Sequence, residues 1–263
     1  MKIGCCAKTS QYQEVKQFGF DYVELYATEL MRLSEKEFNA FYEAYIETGF
    51  PCLGFNAFSD EKTPIIGSDV DWERLSDYSK TLCDRGAKLK IKTIGIGAPK
   101  ARNIADSFDR KTAEKQLENF LVMISEYAEP YGIEILLEPV YSKYCNFINK
   151  TEEAVKIIHA LHKNNLHLTY DYYHSVNENE TLDTMKRAMA DIKHMHYTTG
   201  RGAEPRGLPT EANKRELVKL ISTALKNGYD GNISLEPDFP FFKDGKEAAA
   251  VMHRVLEEVI ASV

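Results

Sequence analysis

The sequence predicts a single (β/α)8 barrel spanning residues 1–263, and three observations lead there. Short β-rich runs alternate with helical stretches from end to end, eight of each. No low-complexity tract, charge block or change of period marks a domain boundary. Strands that alternate with helices need parallel pairing and right-handed crossovers, and eight such units, about 250 residues, is the size at which a parallel sheet closes on itself.

Residues 2–6 read as the first strand and 11–18 as the helix behind it. Residues 21–25, DYVEL, form the second strand, and 34–48 the second helix, opened by the capping box Ser34-Glu-Lys-Glu37. The third pair is 52–56 and 71–87. The fourth is 91–96 and 109–131, where Ala113, Leu117, Phe120, Leu121, Ile124 and Ala128 fall on one face at the spacing of a helix packed on a sheet. Next come 133–138 with 151–163, and 166–171 with 180–189. The seventh strand, 192–196, leads to a helix at 211–227 that stops at Asn227-Gly228, and 232–236 with 246–260 completes the set.

Composition narrows the function. A net charge of −7 argues against sequence-independent nucleic-acid binding, which runs on clustered Lys and Arg. Cys5, Cys6, Cys52, Cys83 and Cys145 are odd in number and scattered, with no CxxC, and read as reduced thiols rather than a disulfide framework or a zinc knuckle. No segment approaches the roughly 18 apolar residues of a membrane span. The expectation is a soluble, cytoplasmic protein with no membrane and no nucleic-acid partner.

Two of the strands end alike, GIEILLEPV at 132–140 and GNISLEPDF at 231–239. In such barrels the chemistry sits at the C-terminal ends of the strands, where the following loops form the open face. Glu138 ends strand five, Asp171 strand six, His196 strand seven and Glu236 strand eight, so four successive strands each deliver one ligand-type side chain to one rim. His194 points to the same side of its strand as His196 but lies further from the rim. Three carboxylates and one imidazole suit a single divalent ion: manganese, magnesium, cobalt or zinc. Without a cation, converging carboxylates would repel one another.

The segments FGFDYVEL, ILLEP, NFINKTEEA, LTYDYYHS, HMHYTTGRG and NGYDGNISLEP together resemble the xylose isomerase-like barrels, the sugar phosphate isomerases and epimerases whose relatives include ketose 3-epimerases, hydroxypyruvate isomerase, inosose isomerases and dehydratases, and endonuclease IV. The resemblance implies metal ligation by Glu138, Asp171, His196 and Glu236, with Glu138 and Glu236 also exchanging the proton of an α-hydroxy carbonyl substrate through an enediolate. It implies that His174 faces the substrate, and that a substrate-binding arginine falls on Arg201, with Arg206 as its competitor. The implied partner is a small sugar or sugar phosphate, and pairing into a homo-oligomer is a further expectation. Where ketose 3-epimerases carry Asn-Arg-Tyr-Glu after the first metal glutamate, this chain has Tyr141, Ser142, Lys143 and Tyr144. Lys143, Arg102, Arg201 and Arg206 are placed by the sequence around the rim, a pattern suited to a phosphate or carboxylate. Three other readings stand beside this one: a cyclic-polyol dehydratase using the same metal and first proton abstraction, a non-catalytic sugar-binding barrel, and an endonuclease IV-like nuclease. The last needs histidines on early strands, and this chain has none before His159.

Overall fold

A computed structural model describes residues 1–202 and 204–262. Eight parallel strands, β1 (Ile3–Ala7), β2 (Tyr22–Tyr26), β3 (Cys52–Asn56), β4 (Thr93–Ile96), β5 (Glu134–Leu137), β6 (Leu166–Asp171), β7 (Ile192–Tyr197) and β8 (Asn232–Leu235), follow one another around a closed barrel. Pairing of β1 with β8, Ile3 opposite Ile233, closes it. The predicted (β/α)8 barrel is the observed fold.

Ten α-helices surround the strands among the described residues: α1 (Tyr12–Phe18), α2 (Ala27–Arg32), α3 (Glu35–Thr48), α4 (Trp72–Leu89), α5 (Arg110–Ala128), α6 (Thr151–Leu161), α7 (Tyr172–Asn177), α8 (Leu182–Arg187), α9 (Arg215–Lys226) and α10 (Gly245–Ile260). Local chemistry sets several of their ends. Ser34 accepts the Glu37 N–H while the Glu37 carboxylate takes the Ser34 N–H, which is the expected capping box. Asp71 and Asp109 cap α4 and α5 by the simpler one-way bond, their carboxylates accepting the Arg74 and Thr112 N–H groups. The stripe of α5 from Ala113 to Ala128 is buried against the sheet, as its spacing requires. α2 and α7 are additions to the expected pattern. Each has six residues and follows its strand directly, too short for a hydrophobic period to declare itself.

The core lies between the outer face of the barrel and the helices. Ile3, Val23, Leu25, Phe55, Ile94, Ile135, Leu168, Met195 and Ile233 point outward into it and are fully or almost fully buried. The alternate residues point inward, and there the barrel is polar: Glu24, Thr169, His194, His196 and Ser234 are also buried. None of the helices among the described residues is long and apolar enough to cross a membrane.

Candidate metal centre and active site

Strands β5 to β8 bring Glu138, Asp171, His196 and Glu236 to one point. Glu138 and Glu236 follow the last residues of β5 and β8, while Asp171 and His196 lie within the final turns of pleat of β6 and β7. Nδ1 of His196 stands 3.2 Å from Glu138 Oε1, 3.9 Å from Asp171 Oδ2 and 3.8 Å from Glu236 Oε2. His194, one pleat lower, does not reach this cluster and bonds Glu24 instead.

The local fold fixes each carboxylate. Asp171 also caps α7, its Oδ1 accepting the His174 N–H at 3.0 Å, which leaves Oδ2 buried without a hydrogen-bond partner among the described residues. Glu236 accepts from Asn56 Nδ2 at 2.8 Å through Oε1 and from Arg206 through Oε2. Gly97 opens the space for Glu138, since a side chain there would overlap the carboxylate. Behind Glu138, the fully buried Arg102 donates to the carbonyls of Gly97 at 2.7 Å and Glu138 at 2.8 Å, clamping the ends of β4 and β5.

Charge is balanced unevenly across the cluster. Burial pushes the Glu236 carboxyl up, and Glu138 and Asp171 add to this, so Arg206 and His196 do not bring it back to its ordinary value. Burial also works to raise Asp171, but His174, Arg206 and His196 outweigh it and hold that carboxyl low. Burial opposes the charge of His196, yet Glu24 and Cys6, with the Glu138 hydrogen bond, raise it well above the usual imidazole range. Burial likewise opposes the Arg206 cation, and Glu236 and Asp171 more than restore it.

The residues fit a divalent ion. Four donor atoms about 2.1 Å from one ion stand no more than about 4.2 Å apart. One atom each from Glu138, Asp171, His196 and Glu236 lies within 4.8 Å of the others, so a small contraction suffices. Asp171 Oδ2 accepts no hydrogen bond among the described residues and so keeps a lone pair available to an ion, and the three-oxygen, one-nitrogen set suits zinc, manganese, magnesium or cobalt.

A cavity of about 230 Å3 opens beside the cluster, lined by Ala57, Gly97, Pro99, Glu138, Val140, Tyr144, His174, Arg206, Glu236 and Asp238. His174 reaches it from α7, its Nε2 3.9 Å from Asp171 Oδ2. The arginine brought here is Arg206, whose guanidinium contacts Glu236, lies 3.7 Å from Asp171 and sits over the Tyr173 ring. Arg201 is not: it is half-exposed and bonds Glu216 at 2.8 Å. The cause is the bridge between Thr199 and Gly207, which folds the loop back and returns Arg206 to the rim while Arg201 rides on its outer leg. Arg102 and Lys143, expected as rim charges, do not line the cavity. Arg102 is buried in its clamp, and Lys143 lies over the Tyr144 ring. Sequence reading missed Asn56 and Glu24. The signal for Glu24 was present, a carboxylate at an inward position between Val23 and Leu25, which has to find a partner inside the barrel.

Residues 12–258 match the xylose isomerase-like TIM barrel family. The chain is 29% identical to inosose isomerase of Bacillus subtilis (strain 168) over 106 residues, 40% of this chain and 38% of that protein, so the match spans about two-fifths of the relative's length. Among solved structures it resembles 3-keto-D-glucoside 4-epimerase, YcjR, from E. coli, with a TM-score of 0.78 and 17% identity over 97% of this chain and 99% of the other. It also resembles the IolI protein with a bound zinc atom, with a TM-score of 0.72 and 19% identity over 100% and 99% of the two chains. These structural likenesses concern the fold; the family match covers most of the sequence, and the chain belongs to the xylose isomerase-like TIM barrel family.

Proposed function

We propose that the protein is a divalent-metal-dependent isomerase or epimerase of a small sugar or keto-polyol, acting by moving the proton beside a carbonyl. The observation that carries this reading is the pair of carboxylates, Glu138 from β5 and Glu236 from β8, facing one cavity and one imidazole nitrogen. The family, and relatives named inosose isomerase and 3-keto-glucoside 4-epimerase, support the substrate class.

Glu138, Asp171, His196 and Glu236 would hold the ion. When bound, it supplies Lewis acidity that polarises the substrate carbonyl and its neighbouring hydroxyl. The chain's own residues do the rest. One glutamate removes the C–H proton, giving an enediolate, and the other returns it. Return to the same carbon from the opposite face gives the epimer, and return to the adjacent carbon gives the isomer. Glu236 and Glu138 both line the cavity, which places a carboxylate at either side of it to exchange a proton with the substrate. Arg206 and His174 line the cavity where they can meet substrate oxygens as charge develops on them.

Arg206 is the one Arg or Lys lining the cavity among the described residues, and it is already paired with Glu236, while Asp238 adds a carboxylate. That favours an uncharged sugar over a sugar phosphate. The test is solvent-proton exchange: protein with manganese in deuterated water against ketoses, ketose phosphates, hydroxypyruvate and inososes, followed by NMR beside Glu236→Gln. Exchange that disappears in the variant supports the reading; exchange that persists removes Glu236 from it.

A further inference from the structure

Below the metal cluster, inside the barrel, lies a second group that the proposed chemistry does not use. Glu24 on β2 is 2% exposed. Its Oε2 alone receives three partners: His194 Nε2 at 2.9 Å, His196 Nε2 at 3.1 Å and the Cys6 thiol at 3.5 Å. Glu24 crosses the interior to do this, because β1 and β8 separate β2 from β7 in the barrel.

The chemistry of that contact is directional. An ionised carboxylate only accepts, so two imidazoles converging on one of its oxygens both present Nε2–H. For His196 this assigns the proton to the nitrogen that points down the barrel. The nitrogen that points up, Nδ1, is the one that faces Glu138, Asp171 and Glu236. The surroundings hold Glu24 in place. His194 stands perpendicular to His196 with ring centroids 5.0 Å apart, and Tyr22 packs edgewise on His194 and bonds Ser234.

We propose that Glu24, buttressed by His194, is the positioning residue for His196: it holds the Nε2 proton and turns Nδ1 into the ligand cluster, so that Nδ1 is the nitrogen left to bind an ion. Burying a carboxylate is costly unless its partners compensate, and here the compensation is spent on orienting the one nitrogen ligand. Carboxylates behind metal-binding histidines act in this way, and their loss typically weakens metal binding by roughly 10- to 100-fold. The last step rests on the metal reading of the site; the assignment of the Nε2 proton does not.

The test separates the two. In metal-free protein labelled with 15N-histidine, the His196 Nε2 proton is expected as a hydrogen-bonded, slowly exchanging resonance. In the near-isosteric Glu24→Gln, with its fold checked by circular dichroism, that resonance is expected to move upfield or to be lost to exchange. Manganese binding, measured by calorimetry, is expected to weaken by roughly 10- to 100-fold. Glu24 acting only as a buried structural partner would lower the melting temperature without moving the resonance. A folded Glu24→Gln with an unchanged His196 resonance, or with unchanged manganese affinity, overturns the proposal. Should Glu24→Gln not fold, Glu24→Asp, which keeps the charge but withdraws it by one methylene, is held to the same two readings. Wild-type protein that binds no manganese would sink the proposed function, and the resonance alone would then decide the role of Glu24.

Discussion

Gly97→Ala is a sharp test of the site because it adds one methyl group and no charge. Gly97 follows β4, lies against Glu138, and does not use the left-handed backbone region, so alanine brings no strain of its own. Its Cβ would overlap Glu138 Oε2 and stand 3.3 Å from Cδ. Restoring ordinary carbon–oxygen contact requires the oxygen to move on the order of 1 Å. It cannot retreat freely, because the Glu138 carbonyl is clamped by Arg102 and Oε1 faces His196 at 3.2 Å. A catalytic group misplaced by about 1 Å costs roughly 100-fold in rate, or about 2.7 kcal/mol of barrier. The fold should lose only the about 1–3 kcal/mol of an overpacked site. The assay is deuterium exchange into a substrate accepted by the wild type, with circular dichroism as the fold control. A folded Gly97→Ala exchanging within about threefold of wild type, under about 0.7 kcal/mol, would refute a fixed, ion-ligating Glu138.

The two arginines should separate cleanly. Arg206→Met is expected to lower kcat/KM by roughly 100- to 1000-fold, the cost of losing an oriented charge at developing negative charge, and Arg206→Lys should not restore it, lacking the planar fork. Arg201→Met should stay within about twofold, as an exposed ion pair contributes little; steady-state kinetics on all three decides. Chelation should abolish exchange while leaving the far-UV spectrum intact, and manganese at about 100 times its Kd should then add about 2.7 kcal/mol of stability in a denaturant titration. Burial pushes the Cys52 and Cys83 thiols up to about 12. The folded state therefore holds those protons more tightly than the unfolded chain, a stabilisation complete below about pH 8.5 and lost as the pH rises toward about 12. Thermal scans should show a melting temperature falling between about pH 8 and about pH 10, and iodoacetamide near the lower end should label only unfolded chain; ready labelling of the native protein would contradict this.

The barrel was legible because its signals are local. Each strand is a short β-rich run and the long helices carry their own caps or stripes, as Ser34 and the Ala113 to Ala128 face show. The convergence of Glu138, Asp171, His196 and Glu236 was legible for a related reason, since in a parallel barrel the end of every strand is the same end. What the sequence hid depends on contacts distant along the chain. Counting from His196 favours Arg201, and only the Thr199–Gly207 bridge reveals that the loop doubles back to seat Arg206. Glu24 and His196 are separated by 172 positions, and nothing local to DYVEL says where its carboxylate will be satisfied. Asn56 ends β3 as an ordinary polar residue and gains its meaning only from Glu236 across the barrel.

Arg206 also bears on the order in which the protein is made. With its guanidinium against Glu236 and Asp171, and His196 among the same oxygens, the carboxylates have counterions supplied by the chain itself. Such a chain is expected to fold without an ion, unlike small domains whose structure exists only around one. Under the proposed function, an ion entering the site would join a scaffold already charge-balanced by Arg206 and His196. Which ion enters such a preformed site would depend on its three-oxygen, one-nitrogen donor set together with the ions available.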